Sequence, residues 1–146
     1  MVQINSFTGQ YRWLSNFFYV DIIYDGAEYP TVEHAYQAAK TLDPTEQEII
    51  RKARTPAEAR NLGRYVTIRK DWGRVRVSVM RELLQQKFAV PEFRERLMAT
   101  GDVIIVQGNY WNDTFWGVCQ GKGRNVLGKL IMEIRDSIRN DSILFD

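Results

Sequence analysis

Glu33 and Lys40 stand seven residues apart in the run Glu33-His34-Ala35-Tyr36-Gln37-Ala38-Ala39-Lys40, which lies between Pro30 and Pro44. A carboxylate and a primary amine on one helix face, two turns apart, can act as proton shuttle and nucleophile. At helical period Glu33, Gln37 and Lys40 fall on one face with Tyr36 at its edge. Ala35, Ala38, Ala39 and Leu42 form the opposite stripe, which is expected to be buried. Thr31 occupies the N-cap position just after Pro30. From spacing alone, a solvated face carrying an ordinary ion pair is the simpler account of this run. The remainder of the chain has to supply the reason to prefer chemistry.

Three aromatic clusters fall on loops or loop edges: Trp13-Leu14-Ser15-Asn16-Phe17, Arg69-Lys70-Asp71-Trp72 and Asn112-Asp113-Thr114-Phe115-Trp116-Gly117. Any one of these tryptophans fits a core position. Two of them, each beside an aspartate and a basic or polar neighbour, suit the walls of a pocket for a flat base, where stacking contributes roughly 1–3 kcal/mol per base. Arg12, Arg64, Arg69 and Lys70 would then meet phosphate groups. Gly121-Lys122-Gly123-Arg124-Asn125, leading into a helix, has the look of a phosphate loop. Its glycines fit neither established nucleotide fingerprint, so a plain glycine-rich turn is the favoured reading. Cys119 reads as a small buried thiol rather than a nucleophile.

The elements that must position these residues can be read coarsely. Ile4–Tyr11 and Phe17–Tyr24 have strand composition, and Asp25-Gly26 is a turn signal with Ala27-Glu28-Tyr29 as the returning strand. Helices are expected over 45–53, from Pro56 with Thr55 as N-cap to Gly63, and from Asp71 to about Phe88. The third of these carries the stripe Val75, Val79, Met80, Leu83, Leu84 and Phe88. Another helix starts at Pro91 and ends at Thr100-Gly101. Val103–Val106 reads as a short buried strand and 109–123 as mostly loop. A last helix from Asn125 buries Leu127, Leu130, Ile131, Ile134 and Ile138. The expected fold is α+β, a mostly helical single domain over residues 1–146 with a small antiparallel sheet.

A chain of 146 residues can bury a real core in one domain. Its 45% hydrophobic and 26% charged content is that of an ordinary globule. No run approaches the roughly 18 apolar residues that span a bilayer, and Met1–Asn5 has no signal-peptide pattern. One cysteine excludes an internal disulfide framework and suits a reducing cytoplasm. One histidine and one cysteine weigh against zinc; a carboxylate-bound magnesium ion stays open, and no cofactor or metal is required. Charge is uneven. Residues 1–50 hold two basic and seven acidic side chains (net −5), residues 51–96 hold 13 and five (net +8), and residues 97–146 hold five and six (net −1). The basic middle block fits a phosphorylated or nucleic-acid ligand, or a set of helix-face arginines paired with their neighbours.

The segments Tyr11–Phe17, Tyr29–Lys40, Asp113–Gly117 and Gly123–Gly128 resemble, in order, the motifs of the NADAR, or YbiA-like, family, over roughly residues 5–137. The resemblance implies a YbiA-like fold and cleavage of N-glycosidic bonds. It implies either removal of ADP-ribose from guanine or hydrolysis of phosphoribosylamino-pyrimidines of riboflavin synthesis. The family's key positions match Glu33, Trp72, Asp113 and Trp116, and its motif lysine matches Lys40. Cys119 stands where the family usually has a small residue.

In both substrate classes ribose C1 is bonded to an exocyclic amine of a flat base. Such an aminal can open to an imine, on which Lys40 could exchange with the base while Glu33 moves protons. That route needs a lysine whose pKa is lowered by desolvation or by nearby arginines. The alternative is direct hydrolysis between two carboxylates, Glu33 and Asp113. Glu33, Lys40 and Asp113 are therefore the expected catalytic residues. Arg12, Ser15, Asn16, Phe17, His34, Gln37, Arg64, Lys70, Trp72, Trp116 and Gly117 are the expected substrate contacts. Expected partners are an ADP-ribosylated nucleic acid or a phosphoribosylated small molecule, with no membrane. A module that binds ADP-ribose without turnover is the rival from another class.

Overall fold

A computed structural model describes residues 3–145, with side chains described through Asp141. The fold is α+β and mostly helical, with a small antiparallel hairpin. In chain order it runs through a 3-10 helix (Gly9–Leu14), β1 (Tyr19–Tyr24), β2 (Ala27–Thr31), α1 (Val32–Ala39), α2 (Pro44–Arg51), α3 (Pro56–Leu62), α4 (Trp72–Ala89) and α5 (Pro91–Ala99). Two-residue strands β3 (Gly108–Asn109) and β4 (Val118–Cys119) follow, then α6 (Val126–Phe145). Among the described residues no helix is long and apolar enough to cross a membrane. The chain divides into two compact units, Asn16–Lys87 and the combination of Met1–Ser15 with Phe88–Asp146.

In the Asn16–Lys87 unit, β1 and β2 pair antiparallel with Tyr24 opposite Ala27. The two-residue connection is Asp25 (φ 49) and Gly26 (φ 81), the left-handed pair that matches the twist of a tight hairpin. Helix α1 packs against this hairpin, α2 and α3. Thr31 caps it by accepting from the His34 backbone N–H at 3.0 Å. Asp43 and Thr55 cap α2 and α3 in the same way, each followed by proline in the first turn. Helix α4 contributes Val79, Met80, Leu83 and Leu84 to the core, while Val75 is only half-buried.

The second unit is built on α6, whose Leu127, Leu130, Ile131 and Ile134 are buried and which packs against α5. Ile138 is half-buried. Here the expectations need correction. Ile4–Tyr11 is not a strand: Ile4 makes one parallel bridge to Ile105, and Gly9 at φ 57 turns the chain into the 3-10 helix. Val103–Val106 is not a buried strand either. Ile105 alone holds the bridge, fully buried, while Ile104 is 49% exposed. The β3–β4 pair is parallel and was not expected.

Candidate active site

Helix α1 does not have a buried side and a wet side: every residue from Val32 to Ala39 is buried. The expected stripe is right for Ala35, Ala38 and Ala39 but not for Leu42, which lies beyond the helix end and is 67% exposed. The polar residues Glu33 and Gln37 are as enclosed as the alanines, at 8% and 5% exposure, so a solvated ion-pair face is excluded. Buried polar groups are tolerated only where they find partners. Gln37 Nε2 donates to Glu33 Oε1 at 2.9 Å, the i, i+4 spacing of one helix turn.

Lys40 follows α1 as its C-cap and is half-buried. Its Nζ lies 6.0 Å from the centre of the Tyr36 ring, and that ring meets Trp72 at 5.1 Å with the planes tilted by 55°. Trp72 reaches this place through the backbone. Arg69 N–H donates to the Lys40 carbonyl at 2.7 Å, and Trp72 N–H donates to the Arg69 carbonyl at 3.2 Å, so the turn before α4 is anchored on the end of α1. The Arg69 guanidinium grips Asp71 through two bonds of 2.5 and 3.0 Å. It is thus a brace for this turn, not the phosphate contact that its sequence position suggested.

Burial lowers the pKa of Lys40 below the ordinary lysine value. The Glu33 carboxylate works against that shift, and Arg60 and Arg64 add to it. An amine of lowered pKa beside the Tyr36 ring, in the fields of two guanidinium groups and a carboxylate, has the character that a lysine nucleophile would need. Asn16 belongs to the same neighbourhood, since its carbonyl accepts from the Glu33 backbone N–H at 3.1 Å. Its Nδ2 points to the Met80 sulfur at 3.6 Å. Phe17 is half-buried, whereas Arg64 and Lys70 are exposed.

His34 is placed differently from the expectation. It is fully buried, and Nε2 donates to the Ala53 carbonyl at 3.1 Å. Nδ1 then accepts from the Thr31 hydroxyl at 2.7 Å. Both ring nitrogens are committed inside the protein, and burial lowers the pKa of the ring, so a neutral His34 ties α1 to the turn before α3. It offers no nitrogen to a ligand.

The other expected residues lie in the second unit. Arg12 is exposed at the end of the 3-10 helix, where its carbonyl accepts from Ser15 N–H at 3.0 Å. Asp113 closes the loop between β3 and β4. Its Oδ1 accepts from Phe115 and Trp116 N–H at 3.2 and 2.9 Å, and its backbone exchanges bonds with the Asn109 side chain at 3.0 and 2.9 Å. The carboxylate thereby fixes the backbone turn that carries Trp116, whose ring stands edge-on to Phe115 at 4.9 Å. Gly117 is buried, and a Cβ there would lie 1.8 Å from Gln107 Oε1 and 2.2 Å from the Gln107 carbonyl, so its role is close packing within the loop.

The phosphate-loop look of 121–125 dissolves on inspection. The N–H groups of Arg124, Asn125, Val126 and Leu127 donate to the carbonyls of Thr114, Gly117, Phe115 and Trp116. The amides that would cradle a phosphate are used to hold the Asp113–Gly117 loop. Cys119 is buried, as expected of a structural thiol. Sequence spacing missed Arg60 and Gly63, because α3 is brought beside α1 only by tertiary packing. Tyr36 carried a signal, standing at i−4 from Lys40.

Residues 5–139 match the NADAR domain. The chain is 41% identical over 137 residues to an N-glycosidase of Nostoc punctiforme, covering 89% of this chain and 87% of that one. It is 38% identical over 142 residues to the N-glycosidase YbiA of Escherichia coli, covering 94% and 88%. Identity is 36% over 131 residues with a riboflavin biosynthesis protein of Vibrio vulnificus, of which the match covers 35%. The NMR structure of E. coli YbiA superimposes with a TM-score of 0.85 at 37% identity, covering 97% of this chain and 86% of that one. With the domain match, the identities and the shared fold in agreement, the chain belongs to the NADAR family.

Proposed function

We propose that this protein is an N-glycosidase that removes ADP-ribose from guanine bases, in nucleic acid or as the free nucleotide, through an imine on Lys40. The hydrolase class follows the names of its relatives. The observation that carries the site is Lys40 itself: a lysine of lowered pKa beside the Tyr36 ring, which meets Trp72, under the influence of the Arg60 and Arg64 charges and at the end of the helix that holds Glu33.

The chemistry balances without a further reactant. Glu33, protonated, gives its proton to the ring oxygen of the ribose as the C1–O bond breaks and C1 becomes an iminium with the base amine. The neutral Lys40 amine adds to C1. One of its protons passes through Glu33 to the base nitrogen, and the base leaves as the free amine while the lysine–C1 iminium forms. Water adds to C1, and expulsion of the lysine releases the sugar, which closes again. The sum is one water consumed and one N-glycosidic bond cleaved. Trp72 gives the flat base a surface to stack on, and Arg60 and Arg64 face the phosphates.

A second reading is favoured by the relatives named for riboflavin biosynthesis. In it the same Lys40 and Glu33 act on a phosphoribosylamino-pyrimidine, and the two arginines meet a single phosphate. The basic middle block speaks less for nucleic acid than its net charge suggests. Arg51 and Lys52 pair with Glu48, Arg69 and Arg74 with Asp71, and Arg96 with Glu92.

Parallel hydrolysis assays decide. Wild type, Glu33→Gln and Lys40→Ala are each given an ADP-ribosylated guanine oligonucleotide and a phosphoribosylamino-pyrimidine. ADP-ribose release that disappears in both variants is the expected result. Cleavage of the pyrimidine alone moves the protein to the second reading, and binding of either substrate without turnover makes it a binding module.

A further inference from the structure

Gly63 ends α3, and a glycine after a helix is ordinarily explained by a left-handed C-cap. That explanation fails here. Gly63 has φ −61 and ψ −16, the right-handed conformation that alanine adopts readily. The space around it supplies a different reason. A Cβ at Gly63 would lie 1.9 Å from Gln37 Oε1, 2.7 Å from Gln37 Cδ and 3.2 Å from Gln37 Cβ. A larger residue here would displace the Gln37 amide, whereas the backbone itself would accept one.

The bonding of Gln37 is also unusual. Its Nε2 donates to Glu33 Oε1, whereas Oε1 is buried with no hydrogen-bond partner among the described residues. A buried acceptor without a donor costs about 1–3 kcal/mol, so the amide is held in this orientation by something. An ionised Glu33 carboxylate would provide it, because it accepts from the NH2 end and repels the oxygen end. A protonated Glu33 reverses the preference, since its O–H donates to an amide oxygen.

We propose that Gln37 and Gly63 form a positioning pair for Glu33. The Gln37 amide bonds the carboxylate through Nε2 and the carboxylic acid through Oε1, and Gly63 leaves the room in which it turns over. This rests on the reading of Glu33 as the proton shuttle. A shuttle must be held in one place in both protonation states, and an amide is the neutral side chain with both a donor and an acceptor end to do so.

The test follows the Glu33 carboxyl directly by NMR titration of the 13C-glutamate-labelled free protein, beside melting curves and kcat/KM against pH. The variants are Gln37→Leu, Gly63→Ala and the double variant Gly63→Ala with Gln37→Ser. Gln37→Leu removes a bond to the charged form, so Glu33 is expected to titrate about one pH unit higher, with kcat/KM lowered about tenfold and the limb of its pH profile that Glu33 sets moved the same way. Gly63→Ala is expected to shift Glu33 upward and to melt earlier. The double variant is expected to recover the melting temperature, because alanine suits this backbone, without recovering the Glu33 titration.

Overturning results are equally plain. A Gly63→Ala protein as stable as wild type, with Glu33 unmoved, makes Gly63 an ordinary helix end. An unchanged Glu33 titration in Gln37→Leu removes the positioning role. Wild-type protein that cleaves no N-glycoside refutes the proposed function, yet the titration still decides whether the pair controls Glu33.

Discussion

Helices α1 and α4 each end near a lysine, and burial lowers the pKa of both, but the two ends are built for different things. Lys40 is half-buried beside Tyr36, and its pKa is set by burial against the pull of Glu33, with Arg60 and Arg64 assisting. Lys87, in the last turn of α4, has no exposed surface, and burial alone brings its pKa to about 7. The larger shift is at the less accessible place. A substrate cannot reach a fully enclosed amine, whereas the Lys40 neighbourhood combines partial access, aromatic walls and charges of both signs. A lowered lysine pKa marks a site only when the surrounding groups also have work to do; otherwise it records a cost of burial.

The contrast is most sharply broken by exchanging the lysines' fates. Lys40→Ala is expected to lower kcat/KM on the order of 10³-fold or more, whereas Lys87→Met leaves it near the wild-type value; steady-state kinetics on an ADP-ribosylated guanine substrate measure both. Equal losses in the two variants would mean that the lysines act only through stability.

Asp113 offers the next largest effect. Asp113→Asn keeps the Oδ1 acceptor for the Phe115 and Trp116 amides, so the loop should stay folded and the loss of kcat/KM should be about tenfold. Asp113→Ala releases the Trp116 loop and should cost on the order of 10²-fold. If the asparagine variant is as dead as the alanine one, Asp113 acts through its charge, and the two-carboxylate route gains over the imine.

Smaller still is a shift in pH dependence. Arg60 and Arg64 lower the Lys40 pKa, so replacing both with glutamine should raise it. The pH at which kcat rises with Lys40 deprotonation then moves upward, and kcat near neutral pH, read at saturating substrate because the same arginines face the phosphates, falls severalfold. A downward movement would contradict the proposed field around Lys40.

The smallest effect is on the melting curve. Lys87 has a folded pKa of about 7 against an unfolded value near 10.5. Between these values the unfolded chain binds the extra proton, so stability rises with pH across this window, and the full penalty is present below about pH 7. Lys87→Met should remove that dependence and raise the melting temperature at pH 6, by about 3 °C for each kcal/mol regained. A melting temperature that falls at pH 6 would show that the Lys87 ammonium is held by partners that outweigh its desolvation.

Local signals were legible where the physics is local. The Thr31 cap, the Asp25-Gly26 hairpin, the prolines that open α2, α3 and α5, and the stripe on α4 each depend on neighbours within a few positions. Ile4–Tyr11 has the composition of a strand, but whether a strand forms depends on a partner, and Ile105 supplies only one bridge before Gly9 turns the chain away. The site was half legible for a similar reason. Glu33, Gln37 and Lys40 share a helix face that spacing predicts. That the face is buried, that His34 is occupied by Thr31 and Ala53, and that Arg60 and Gly63 border the site all follow from α3 packing on α1. No period in the sequence encodes that packing.

The most direct measurement is borohydride trapping during turnover. Wild-type protein and Lys40→Ala are incubated with ADP-ribosylated guanine, reduced, digested and read by peptide mass. The account predicts a reduced sugar adduct on the peptide carrying Lys40, formed only with substrate present and absent from the variant. Turnover that continues with no adduct, or an adduct on another lysine, would contradict it.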